Sequence, residues 1–193
     1  AHSELTFKIK HLMISNVSGA FKDFSAKLET EGTDFSKAMV NLTAEMNSIS
    51  TNNGQRDAHL LGSDFFEVEK FPQLKFTSTG IEQTDNESFN LHGNLTIKGV
   101  TKPVKLTMEF NGIVKDPQGQ EKAGFLVSGK IKRSDWGINL NVALETGGLM
   151  LGEDVRIQSE VQFVRQEINV PVEVKKPQLE IGRSELQLKK VCK

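Results

Sequence analysis

The sequence has few of the residues on which disulfide scaffolds, metal sites and catalytic centres depend. It holds no tyrosine, one cysteine, one tryptophan, five prolines and four histidines in 193 residues. The lone Cys192, second from the end, cannot form an internal disulfide, and by itself it fixes no redox compartment. No stretch approaches the ~20 apolar residues of a membrane-spanning helix, so no transmembrane segment is expected. Neither sign of charge dominates: 24 Lys and Arg stand against 25 Asp and Glu, a formal charge of −1. Binding to a phosphate backbone needs clustered cations, so no nucleic-acid partner is expected. With 37% hydrophobic and 25% charged residues, the chain is too apolar for a disordered tail and too polar for a membrane protein. A domain of this length buries roughly 70% of the surface its unfolded chain exposes, and needs no structural metal to do so. The first residue is Ala1 rather than Met. That reads as a processed or trimmed N-terminus and leaves the compartment open.

The dominant pattern is alternation with a period of two, in runs of about ten residues bounded by turn residues. Leu5, Phe7, Ile9, His11 and Met13 share one face of the first run, and Phe24, Ala26 and Leu28 one face of a second near 17–30. Val40, Leu42, Ala44 and Met46 do so in the third, and further runs lie near 74–82, 88–98, 102–115, 122–132 and 155–165. The turns between them, such as Asp116-Pro117-Gln118-Gly119 and the one at Gly99, fit antiparallel neighbours. The fold class is therefore all-β with eight antiparallel strands, as a sandwich or a barrel. A helical insertion is expected near residues 57–71, with Asp64 as cap, Glu67 reaching back and Pro72 ending it. The Gly-rich segment 146–153 reads as a loop or a single helical turn.

Phe7, Met46, Met108, Phe110, Phe125 and Phe163 fall on the proposed inner faces. They can fill a core or line a cavity for an elongated apolar ligand. Apolar stripes are more often packing, so pattern alone favours the core. After Gln166 the character changes to Pro171, Pro177 and a Lys-rich end. Residues 1–166 thus read as the domain and 167–193 as an extension: an edge strand, a mobile tail or a homodimer contact.

Chemistry-bearing motifs are scarce. His2 and His11 are nine apart and face opposite sides of a regular strand, while His59 and His92 have no ligand at metal-binding spacing, so no metal is expected. There is no G-x-S-x-G elbow, no phosphate loop and no base placed near Cys192, so no catalytic residue and no cofactor are expected. Paired acids such as Glu67 with Glu69 read as solvated surface. Two polar residues interrupt apolar surroundings: His11, and Arg133 ahead of Ser134-Asp135-Trp136-Gly137. A buried guanidinium needs partners. Either a structural network serves, with Arg133 paired to Asp135 or Asp57, or a ligand head group does.

Four ordered blocks match a known family. The opening, with His2-Ser3, Leu5, Phe7, Ile9, His11-Leu12-Met13-Ile14-Ser15, Val17, Gly19, Phe21 and Phe24, resembles that of the YceI-like family of polyisoprenoid-binding proteins. Arg56-Asp57-x-His59-Leu60 with Asp64-Phe65-Phe66-x-Val68-Glu69-Lys70-Phe71-Pro72 resembles its helical insertion, and Phe76-x-Ser78-Thr79 the strand after it. Gly93-x-Leu95-Thr96-Ile97-Lys98-Gly99-Val100-Thr101-Lys102-Pro103-Val104 resembles its central hairpin, and Arg133-x-Asp135-Trp136-Gly137 its late strand exit.

The resemblance implies an eight-stranded lipocalin-like barrel that holds a long isoprenoid or acyl lipid along its axis, in a binding or carrier protein rather than an enzyme. It implies ligand contacts from Phe7, Ile9, His11, Met13 and Phe24, from Ala44, Met46 and Ser48, and from Leu95, Met108, Phe110, Phe125, Arg133, Trp136 and Phe163. It further implies a periplasmic or secreted location, with the cytoplasm as the alternative. The family's short strand with Trp and Asp ahead of the His-Ser pair does not precede His2 here, which agrees with trimming. An enzyme acting on a lumen-bound lipid, or an assembly protein using strand edges, stands as the other reading.

Overall fold

Alternation becomes wall. The computed structural model describes residues 3–145 and 147–166, and each expected run within them is extended. The strands are β1 (Glu4–His11), β2 (Ser15–Phe21), β3 (Phe24–Glu29), β4 (Met39–Glu45), β5 (Ile49–Ser50), β6 (Gln73–Gln83), β7 (Ser88–Ile97), β8 (Val100–Lys115), β9 (Glu121–Lys132) and β10 (Leu151–Val164). They form one curled antiparallel sheet in the order β3-β4-β6-β7-β8-β9-β10-β1-β2-β5. The lipocalin-like curvature that the resemblance implies is therefore present.

The strand count is ten rather than eight because two of the expected strands bend. The second breaks at Lys22-Asp23 into β2 and β3, and the third continues through a 3-10 turn at Met46–Ser48 into β5. These two bent strands lie side by side: β3 pairs with β4 from Phe24↔Ala44 to Glu29↔Met39, and β2 with β5 at Ala20↔Ser50 and Phe21↔Ile49. Ser48 ties the corner, since its hydroxyl donates to the Glu45 carbonyl at 2.6 Å and accepts the Asp23 N–H at 3.0 Å. On the far side β3 approaches β10 with no backbone ladder between them.

Register defines two ends. The close of β1 at His11, the start of β10 at Leu151, the end of β9 at Lys132 and the β7–β8 turn at Lys98-Gly99 lie together. The helix α1 (Gly54–Leu61) and the turns after it cover this end. Gly99, at φ 73°, brings its Cα so near Phe71 that a Cβ there would sit 2.6 Å from the ring. At the other end a 3-10 turn, Phe35–Lys37, inserts Phe35 between Phe110 and Phe125, with ring centroids 5.0 Å from each. Phe125 also contacts Phe163 at 5.9 Å. Four phenylalanines thus close that end.

The helix begins earlier than the sequence suggests and is shorter. Asn53 is its cap, accepting the Arg56 N–H at 3.0 Å, and Gly62 ends it. The expected capping box fails because Glu67 is in the left-handed region at φ 49° and pairs with Lys70, while Asp64 sits 3.3 Å from His59. The 146–153 segment divides: residues 147–150 form an irregular loop and β10 begins at Leu151. Among the described residues no helix is long and apolar enough to cross a membrane. His2, Cys192 and the extension 167–193, with the edge-strand and homodimer readings attached to it, lie outside the described residues.

Candidate functional site

Inside the curled sheet is an apolar cavity of about 560 Å³, within the usual range for small-molecule sites. Inward positions of nine strands line it, among them Phe7 and Ile9 of β1, Val17 of β2, Leu28 of β3, Leu42 of β4, Phe76 of β6, Leu95 of β7, Met108 of β8, and Phe125 and Val127 of β9. Ile157, Val161 and Phe163 of β10 complete the wall. The lid adds Leu60, Phe65 and Phe66, and the segment after β9 adds Trp136, Ile138 and Leu140. Trp136 is fully buried, and its indole N–H donates to the Leu95 carbonyl at 3.0 Å. The wall therefore carries an aromatic set without an unmet hydrogen bond.

Close approach at one glycine shapes the wall. Phe7 lies across Gly19 of the neighbouring strand, and a Cβ at Gly19 would come within 2.3 Å of its ring. The missing side chain lets the ring lie flat rather than project into the cavity.

Two cations, Arg56 and Arg133, break the apolar lining, and Arg56 lies beside the Asp57 carboxylate. Arg133 is 5% exposed and sits in a 3-10 turn, Arg133–Trp136, at the exit of β9. Its Nε donates to the Gly152 carbonyl at 3.0 Å, and Nη1 donates to Ile138 at 2.6 Å and to Leu140 at 2.9 Å. A bulge makes the first of these bonds available. Ile9 pairs with Val155 but His11 with Leu151, so β10 takes four residues where β1 takes two. The expected partners Asp135 and Asp57 do not pair with it. Asp57 is held at the lid, and Glu153 beside the arginine accepts the Ser134 N–H at 3.0 Å. Arg133 thus lines the cavity with three carbonyl partners, no carboxylate among the described residues, and Nη2 without a bond.

The lid is fastened by a second network. Buried Thr51 gives both its N–H, at 2.8 Å, and its hydroxyl to Asp57, while Arg56 donates from Nε to the Thr51 hydroxyl at 2.7 Å and from Nη2 to its carbonyl at 2.8 Å. The Thr51 hydroxyl bond, with its N–H and Arg56 in support, holds the Asp57 carboxyl below the ordinary aspartate range. A lowered carboxyl stabilises the folded lid above its unfolded value, about 3.9. That contribution is lost as pH falls through the lowered folded value. The expected result is that hydrogen-exchange protection of Gly54–Leu61 stays level from neutral pH to about 4 and declines only below it. Asp57→Ala should lower that protection at neutral pH; an unchanged value would show that the network does not hold the lid.

Of the residues the sequence points to, Phe7, Ile9, His11, Leu95, Met108, Phe125, Arg133, Trp136 and Phe163 line the cavity. Six lie elsewhere. Met13 is 53% exposed because β1 ends at His11 and Met13 sits in the turn beyond it. Ala44 and Met46 are buried in a second core cluster with Phe21 and Ile49, where the strand turns through Met46–Ser48 toward β5. Phe24 packs between that cluster and the main core, Ser48 ties the corner, and Phe110 belongs to the aromatic closure. The sequence reading also overlooks Phe35 and the lid residues Leu60, Phe65 and Phe66. Asp34, whose side chain accepts the Ser36 N–H at 3.1 Å, is the one local signal for the turn carrying Phe35. Among the described residues no three His, Cys, Asp or Glu side chains gather at a metal-holding distance.

The YceI-like domain profile matches residues 1–163. The chain belongs to the YceI-like family. It is 42% identical over 164 residues to a UPF0312 protein of Staphylococcus aureus strain MSSA476, covering 84% of this chain and 93% of that one. The crystal structure of the Campylobacter jejuni YCEI protein is 38% identical and superposes with a TM-score of 0.69, covering 83% of this chain and 91% of that one. Two more distant structures share the fold. Burkholderia cenocepacia BcnA has 22% identity and a TM-score of 0.73, covering 83% of this chain and 96% of its own. A polyisoprenoid-binding domain from Saccharophagus degradans has 14% identity and a TM-score of 0.63, covering 85% and 94%. The family assignment and the curled sheet thus agree. The four sequence blocks that carry the YceI-like resemblance fall on β1 to β3, the lid with β6, the β7–β8 hairpin and the Arg133 turn.

Proposed function

We propose that this YceI-like protein binds a long-chain amphiphile, an isoprenoid or acyl lipid, with its chain in the lumen and an acidic head group at Arg133. The observation that carries the reading is the buried guanidinium of Arg133 in the wall of a largely apolar cavity, with no carboxylate in ion-pair contact among the described residues and Glu153 acting on it only at longer range. Apolar chain transfer contributes roughly 25 cal/mol per Å² removed from water, so the lumen supplies affinity without many polar contacts. A buried charge is ordinarily paired. Carbonyl dipoles satisfy donors on Arg133 but do not neutralise it, and a carboxylate or phosphate at Nη2 would do both. The polyisoprenoid-binding domain that shares the fold supports the same class of ligand. Binding alone accounts for these features, and the protein then acts as a carrier rather than an enzyme. Location is proposed as periplasmic or secreted, where a lipid between membranes must be shielded from water.

Purification of the intact protein from its native host, followed by organic extraction and mass spectrometry, is expected to release a near-stoichiometric acidic long-chain lipid. Protein that repeatedly yields no lipid, and takes none up when offered, would sink the proposal. Turnover of the extracted lipid by the protein would move it to the enzyme reading.

A further inference from the structure

The rim of the lumen breaks two rules of surface design at once. The β1–β2 turn, His11 to Ile14, has positive φ at both central residues, Leu12 at 51° and Met13 at 61°, and is closed by the Ile14 N–H to the His11 carbonyl at 3.3 Å. Such mirror-image hairpin turns favour Asn-Gly because side chains resist left-handed backbone. Here the turn is Leu-Met, followed by Ile14 at 88% exposure. Across from it Leu149 and Val142 are 45% and 51% exposed, and Gly148 lies close enough that a Cβ there would be 3.6 Å from Met13. Unfavourable backbone is used to hold apolar side chains out in water.

The second irregularity is electrostatic. On the outer wall below this tip, register places Lys8 beside Arg156 and Arg156 beside Lys130, three cations across neighbouring strands. Like charges placed opposite one another destabilise a sheet. A groove on this wall is lined by Lys8, Lys22, Lys130 and Arg156 and by no acidic residue. Asp154 contacts Lys130 at 3.2 Å, and the Lys8 and Arg156 charges have no acidic partner in the described residues. At ~3.3 Å per residue, Lys10 and Lys8 stand roughly 7 and 13 Å from Leu12 along β1. With the tip sunk 5–10 Å into the acyl boundary, as interfacial elements sit, these cations reach the level of the phosphates and the surface just outside them.

We infer that the apolar rim formed by the Leu12-Met13-Ile14 turn with Val142 and Leu149, and the cationic wall of Lys8, Lys10 and Arg156 beneath it, docks on an anionic lipid bilayer. Charge complementarity selects that occupant over a second copy of the chain, whose identical cations would face their own kind under two-fold symmetry. The inference rests on the lipid-binding reading, because the rim is continuous with lumen residues His11, Leu140 and Met150. Docking there opens the lumen to the hydrocarbon layer and spares the chain a passage through water.

The test is flotation of the full chain with phosphatidylcholine vesicles, with and without phosphatidylglycerol. Wild type should float with the anionic vesicles and far less with the neutral ones. Ile14→Ser with Leu149→Ser should lower binding about tenfold, and Lys8→Glu with Arg156→Glu should remove the preference for anionic vesicles. Melting temperatures and uptake of cis-parinaric acid delivered from ethanol should be unchanged in both variants. Wild type that ignores the vesicles, variants that bind like wild type, or a dimer in light scattering that Ile14→Ser dissolves while no vesicle is bound would each overturn the inference. Failure of wild type to take up cis-parinaric acid would instead count against the lumen reading, whatever the vesicles show.

Discussion

Val127→Trp is expected to abolish lipid uptake while leaving the β-sheet circular dichroism and the cooperative melt in place. Val127 lines the cavity and is only half-buried, and it lies opposite Met108 across the β8–β9 ladder. A larger ring at this position therefore grows into the lumen rather than into packed core. Met108→Trp tests the same place from the other strand, but Met108 is 2% exposed, so part of the added volume meets packed neighbours at a typical overpacking cost of about 1–3 kcal/mol. The two variants separate loss of space from loss of fold. Each buried methylene displaced costs the ligand about 0.8 kcal/mol, so excluding two or more lowers affinity at least about tenfold. Titration with a fluorescent fatty acid reads this directly. Unchanged affinity in a folded Val127→Trp protein would show that the chain of the ligand does not lie against β8 and β9.

Met46→Trp illustrates what the sequence could and could not convey. Alternation predicts Met46 on the same face as Val40, Leu42 and Ala44, and for Val40 and Leu42 that face is the lumen. The wall was legible because each regular strand alternates relative to its own neighbours, and the register of Phe7, Leu95, Met108, Phe125 and Phe163 follows from period two alone. Met46 keeps the inward side but packs against Ala44, Phe21 and Ile49 where the strand turns through Met46–Ser48, and no local signal marks where a long strand will bend round a corner. Met13 was not legible either, at a turn whose Leu-Met pair carries none of the usual turn residues. Phe35 and the lid residues are long-range closures: they cap the two ends from segments without alternation, so only the folded chain brings Phe35 to Phe125 or Leu60 to the β1 wall. Arg133 was legible as a polar interruption, whereas one of its three carbonyl partners, Gly152, depends on a bulge 19 residues away in sequence.

Arg133 supplies the sharper chemical prediction. Wild type should bind an acidic amphiphile at least about tenfold more tightly than the alcohol with the same chain, a difference of about 1.4 kcal/mol that a charge-assisted bond at Nη2 is sufficient to provide. Arg133→Gln should erase that preference, reducing affinity for the acid to that of the alcohol while the alcohol itself is little affected. Arg133→Lys should not restore it, because an ammonium cannot reach Gly152, Ile138 and Leu140 together and still face a guest in the plane that Nη2 occupies. Stability falls in either variant, since buried carbonyls lose donors at about 1–3 kcal/mol each. That loss is shared by both ligands, so the ratio of acid to alcohol affinity isolates the head-group contact from the structural one. Equal affinities in wild type would mean that the three carbonyls already neutralise the guanidinium well enough for a purely apolar guest. Arg133 would then be a fastening between β9, β10 and the segment after Trp136, and the lumen would select its ligand by chain alone.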